Sequence, residues 1–189
     1  MSWNLDKLLI EFCAPVLMGV KPANLFRYSS DGPDKVHQEI QSWNESLNKF
    51  GINLVIIKEC PVNNLYLIYA YRKKLLEPIL VDNDNQSFLK KYGYHSNDSL
   101  DEQLNVLSSH LCPKNEFPHE IGIFLGYPLK DVVGFIENHG HNYLYSDYWL
   151  VYSNLNKTIE LFDMYHDCTS YCINRFKRGD SVLELAVTI

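Results

Sequence analysis

Between Gly32 and Ile57 the chain changes its apolar period without an intervening linker. Val36, Ile40, Trp43, Leu47 and Phe50 recur four and three residues apart, the spacing of one helix face, and Gly51 closes the pattern. Asp31-Gly32-Pro33 marks where that helix starts. Ile52 to Ile57 follows at once as a run rich in β-branched residues, and Leu65 to Tyr71 forms a second such run after Pro61 and the turn pair Asn63-Asn64. Strands that neither alternate strictly with helices nor run without them fit a mixed sheet covered by helices better than a doubly wound fold.

The remaining segments extend the same reading. Leu5, Leu8, Leu9, Phe12 and Cys13 predict a first helix near residues 3 to 14, interrupted by Pro15 and Gly19. Asp84 is placed to cap a short helix ending at Gly93, and Ser99 with Glu102 makes a capping-box pattern ahead of Leu100, Leu104, Leu107 and Leu111. Ile121 to Tyr127 reads as a buried strand, and Pro128 opens a helix carrying Val132, Val133 and Ile136 that ends at Gly140. Tyr143 to Tyr152 reads as an aromatic strand. Asn154 or Asn156 starts a helix with Leu161, Tyr165, Cys168 and Cys172 on one face, and Ser181 to Val187 supplies a last short strand. The expected fold is α+β: a single domain over residues 1–189, with a mixed, mostly antiparallel sheet of about five strands covered by helices.

Composition narrows the partners. The chain has 189 residues, 46% hydrophobic and 21% charged, as folded globular proteins do, and its net charge of −6 argues against nucleic acid as a partner. No apolar stretch approaches the ~20 residues of a membrane span. Asp6 and Glu11 interrupt the N-terminal apolar run, unlike a secretory signal, so a soluble cytoplasmic protein is expected. Five cysteines, an odd number with no CxxC pair, argue against a disulfide framework.

Several residues carry candidate chemistry. His119 and Glu120, where a loop leads into the expected strand at Ile121, pair a proton shuttle with a carboxylate that can orient it or act separately. The structural account is that Pro118 sets the turn and His119 bonds to backbone. Cys13, with Lys21 and Asn24 in the following loop, has the ingredients of a thiolate nucleophile beside a cation, whereas its neighbours Phe12, Ala14, Val16 and Leu17 suit a buried hydrophobe. Gly126-Tyr127-Pro128-Leu129 can present helix-terminal amides to an anion, but it lacks the glycine spacing of a phosphate loop. His139-x-His141 and Cys168-x3-Cys172 have spacings compatible with a metal, although Gly140 suits a helix terminator and the cysteines share an apolar stripe. Arg72-Lys73-Lys74 and Arg175 to Arg178 read as helix ends and solvated edges.

Cys13-Ala14-Pro15, Gly19 through Phe26, Phe117-Pro118-His119-Glu120-Ile121-Gly122, Phe124 through Leu129, Asp131 through Ile136, and Tyr148-Trp149-x-Val151-Tyr152 together resemble a bacterial domain-of-unknown-function family, number thirty-seven ninety-three. The likeness spans essentially the whole chain. Its members come mainly from anaerobic Gram-positive bacteria, and it brings no activity, cofactor or catalytic assignment. The resemblance covers the segments with Cys13, Lys21 and Asn24 and with His119, Glu120, Tyr127 and Asp131, and leaves out His139, His141 and Cys172. Asp147 stands where the pattern usually has glycine.

The leading expectation is a small-molecule enzyme or cofactor-binding protein with Cys13, His119 and Glu120 as catalytic residues and Lys21, Asn24, Tyr127 and Asp131 as ligand contacts. No cofactor or oligomeric state is named. The alternative is an interaction or regulatory module using the aromatic strand 143–152 and the basic edge near Arg72, and a third is a metal or redox protein.

Overall fold

The computed structural model describes residues 4–30, 32–60, 64–111 and 117–189, so Asp31, Pro61, Asn63, Cys112 and the expected helix start at residue 3 lie outside the described residues. Two compact units are formed, one from residues 1–75 and 165–189, the other from residues 76–164.

The first unit is a three-stranded antiparallel sheet with helices. α1 (Leu5–Leu17) leads to β1 (Ala23–Tyr28), α2 (Pro33–Leu47) to β2 (Asn53–Cys60), and β3 (Leu65–Tyr71) lies between them in the order β1-β3-β2. Tyr71 pairs with both Ala23 and Asn53, and the register of β2 shifts between Ile56 and Lys58. β3 is the central strand, and Tyr66, Ile68, Tyr69 and Ala70 are all buried, which explains its apolar run without alternation. α2 ends as expected, through a 3-10 turn (Asn48–Phe50) into Gly51 at φ +72°. Leu5, Leu9, Cys13, Val16 and Leu17 of α1 pack into a core with Val36, Ile40, Ile68, Cys172, Val182 and Leu185.

In the second unit α4 (Asn83–Leu89), α5 (Leu100–His110), α6 (Ile121–Phe124) and α7 (Leu129–Glu137) precede a minimal hairpin of β4 (Tyr145–Ser146) and β5 (Leu150–Val151). α3 (Lys73–Leu80) and α8 (Leu155–Lys177) each contribute residues to both units, and α9 (Val182–Leu185) belongs to the first. The capping box of Ser99 and Glu102 is formed as expected.

The fold is α+β, but its main sheet has three strands where the sequence predicts about five. Ile121–Phe124 is a fully buried helical turn, because a four-residue apolar run fits a buried helix as well as a strand. Within the expected aromatic strand from Tyr143 to Tyr152, only Tyr145–Ser146 and Leu150–Val151 are strand, paired with each other as β4 and β5. Ser181 to Val187 holds α9 instead of a strand, capped reciprocally by Ser181 and Glu184. Asp82 rather than Asp84 caps α4, accepting from the amides of Asp84 and Asn85. α1 runs through Pro15 to Leu17. β1 has no local signal, because its partner β3 follows only after α2 and β2 have intervened.

Candidate functional site

The cysteine half of the expected site lies in the first unit. Cys13 is 1% exposed, and burial pushes its thiol up to about 12, opposed only in part by the charge of Lys21. This is the reverse of the shift that activates a thiolate. Lys21, also 1% exposed, is pushed down to about 7 by burial, donates from Nζ to the Ala23 carbonyl at 2.6 Å and sits 6.0 Å from the Tyr165 ring centroid. The Asn24 amide donates to the carbonyl of Phe12 and ties β1 to α1. Cys13 and Lys21 are thus brought into electrostatic contact inside a packed core.

The other residues lie in the second unit, and their partners differ from expectation. Glu120 is buried, with its carboxylate Oε1 2.6 Å from Nδ1 of His110, the last residue of α5. The Tyr94 hydroxyl faces the same oxygen at 3.5 Å, and the Tyr94 and His110 rings meet edge-on with centroids 5.7 Å apart. Burial, then the Glu120 charge and hydrogen bond, raise the Tyr94 phenol well above its ordinary value, so it stays a neutral donor. Burial and the same carboxylate raise Tyr92 as well. His119, adjacent to Glu120, instead packs against Phe135 with ring centroids 4.8 Å apart. The expected His119–Glu120 pairing is therefore replaced by His110–Glu120, as successive side chains in a tight turn diverge.

Chemically, a buried carboxylate on one imidazole nitrogen fixes the ring's orientation and favours the tautomer whose other nitrogen is a free acceptor. The His110 side chain is 32% exposed while that of Glu120 is 3% exposed, so the ring reaches solvent and its partner does not. Such a pair can take and return a proton. Sequence reasoning misses His110 and Tyr94 because they lie 10 and 26 residues from Glu120. The only local hint is a histidine in the last turn of a helix.

Tyr127 and Asp131 hold structure. The Tyr127 hydroxyl donates to the Tyr148 carbonyl at 3.1 Å and its ring stacks on Trp149 at 4.7 Å. Asp131 Oδ1 accepts from the amides of Tyr152 and Ser153 and from the Ser153 hydroxyl, at 2.8 to 2.9 Å, fixing the turn ahead of α8. A Cβ on Gly122 would stand 2.6 Å from Val132 Cγ2, and one on Gly134 2.5 Å from Tyr152 Cγ, so both glycines permit close packing.

Of the basic segment read as a helix end and solvated edge, Lys73 and Lys74 are exposed at the start of α3, whereas Arg72 is not. It is fully buried and donates to the carbonyls of Val16, Leu17, Phe50 and Val187 at 2.6 to 2.8 Å. The carbonyls at the end of α1 also accept the amides of Gly19 and Val187, so the cation shares these neutral acceptors with the backbone. His139 and His141 are exposed, Cys168 and Cys172 are buried, and no group of three or more metal-ligating side chains occurs among the described residues. Nor is any helix among them long and apolar enough to cross a membrane.

The fold and site define an α+β protein with a buried carboxylate on a half-buried histidine. The chain belongs to the family described as protein of unknown function DUF3793, whose model matches residues 9–186. No curated protein and no solved structure matches it.

Proposed function

We propose that the protein is a small-molecule enzyme of the cytoplasm in which Glu120 orients His110 as general acid and base. The observation that carries the reading is the 2.6 Å contact between the buried Glu120 carboxylate and Nδ1 of a solvent-reaching imidazole. Tyr94, held neutral beside the same carboxylate, braces it. The expected thiol chemistry of Cys13 has no part in this reading, because a thiol pushed up to about 12 is protonated at neutral pH. Free thiols at Cys13, Cys168 and Cys172 fit a reducing compartment. The test is incubation of the full chain with a metabolite extract followed by mass spectrometry. Wild type is expected to consume at least one metabolite, and Glu120→Gln to slow that consumption by roughly 100-fold or more. Equal consumption by the variant, or none by wild type, contradicts the proposal.

A second reading, an interaction module, rests on three consecutive apolar side chains in solvent: Tyr143, Leu144 and Tyr145, at 47%, 59% and 36% exposure. It requires self-association or a captured partner that Leu144→Glu abolishes, measured by light scattering and by affinity purification. Arg72 itself is buried, so of the basic edge in the first unit Lys73 and Lys74 are the exposed members.

A further inference from the structure

We propose that His110 is a covalent site whose Nε2 accepts a phosphoryl group from a small phosphoryl donor. The inference rests on the reading that Glu120 orients this ring, and it adds the class of group that the ring carries.

A nucleophilic imidazole needs one nitrogen that holds a proton and another that presents a lone pair. The 2.6 Å contact of Nδ1 with Glu120 Oε1 meets the first need. The histidine side chain is 32% exposed and its carboxylate partner 3%, which leaves Nε2 to meet the second on the solvent side.

Charge favours a substituted ring. Among the described residues Glu120 has no lysine or arginine against it, and its side-chain partners are His110 and the Tyr94 hydroxyl. A neutral ring leaves that buried carboxylate without a counter-charge, which is costly. A ring substituted at Nε2 with its proton kept on Nδ1 is an imidazolium at any neutral pH, and it supplies the missing charge. His110 is also the last residue of α5, and a helix C-terminus favours the same cation.

The step balances without a further reactant. The Nε2 lone pair forms the bond to phosphorus, the bond from phosphorus to the leaving group breaks, and the leaving group takes that electron pair. The Nδ1 proton stays in its hydrogen bond to Glu120. Of the electrophiles an imidazole meets in water, an acyl group is quickly hydrolysed and an alkyl group is not passed on. A phosphoryl group is both held and transferable.

Phosphoramidate, a small phosphoryl donor, is the probe for the full chain. Peptides kept in alkali are read by mass spectrometry, and ³¹P spectra distinguish Nε2 from Nδ1 attachment. His95, His139 and His141 are exposed and serve as internal references. His110 is expected to be labelled at Nε2 roughly 10-fold or more faster than any of them, and Glu120→Gln to slow His110 by roughly 10-fold or more with the references unchanged. In urea the preference of the wild-type chain for His110 is expected to disappear. Labelling of His110 no faster than the exposed histidines, attachment at Nδ1, or a rate that Glu120→Gln leaves unchanged overturns the proposal. Glu120-dependent consumption in the metabolite assay with His110 unlabelled overturns this inference alone and leaves the acid and base reading standing.

Discussion

Glu120 holds its carboxylate against His110, Oε1 to Nδ1 at 2.6 Å, while its sequence neighbour His119 turns to Phe135. In neutral His110 the proton therefore belongs on Nδ1, donated to Glu120, leaving Nε2 as the acceptor. ¹⁵N chemical shifts of the labelled ring are expected to show the Nδ1–H tautomer in wild type and to lose that preference in Glu120→Gln. An Nε2–H tautomer in wild type would contradict the orienting role.

Lys21 and Cys13 give the first unit opposing pH dependences. Lys21 is lowered from 10.5 to about 7, so between those values the unfolded chain binds more protons than the folded one and stability rises with pH. Cys13 is raised from 9 to about 12, so above pH 9 the unfolded chain loses a proton that the folded chain keeps, and stability falls. The Lys21 contribution alone rises by about 1.4 kcal/mol per pH unit between 7 and 9, and the two oppose each other from 9 to 10.5. Urea unfolding should show the slope between pH 7 and 9 reduced in Lys21→Met, and the alkaline fall reduced in Cys13→Ala.

Arg72 joins the end of α1, the 3-10 turn after α2 and the segment near Val187 through four carbonyls. Arg72→Met removes those partners together. The expected loss is about 2 kcal/mol or more, since the Val16 and Leu17 carbonyls keep the amides of Gly19 and Val187 while those of Phe50 and Val187 are abandoned, at about 1–3 kcal/mol each. Lys73→Met, at an exposed neighbour, is expected to change unfolding by no more than about 0.5 kcal/mol. Similar losses in the two variants would contradict the assignment.

Gly134 allows the Tyr152 side chain to lie where a Cβ would intrude to 2.5 Å. Gly134→Ala is expected to destabilise by about 1–3 kcal/mol through overpacking, despite alanine's better helix propensity. Thermal unfolding that is unchanged or raised would show that α7 moves aside freely.

The sequence is most informative where local signals act alone. The helix ending at Gly51, the hairpin after it and the capping box at Ser99 need only periodicity and turn chemistry, and all three are formed. β1 is hidden because β3, the strand that completes it, comes only after another helix and strand. Ile121–Phe124 is ambiguous because complete burial erases the alternation that separates strand from helix. The Ser181–Glu184 capping pattern is legible and identifies α9 once its spacing is weighed. At the candidate site, Glu120 is found from its chemistry, but its partner is not, because adjacency in sequence says little about which way side chains leave a turn. Arg72 resembles a solvated charge because the four carbonyls that receive it come from three separate stretches of chain.

The most direct measurement compares His110→Gln with His119→Gln in the metabolite assay, with folding of each checked by circular dichroism. The account requires His110→Gln to lose turnover by roughly 100-fold or more and His119→Gln to retain it within a few-fold. Loss in His119→Gln with retention in His110→Gln would contradict the account and return the chemistry to the histidine beside Glu120.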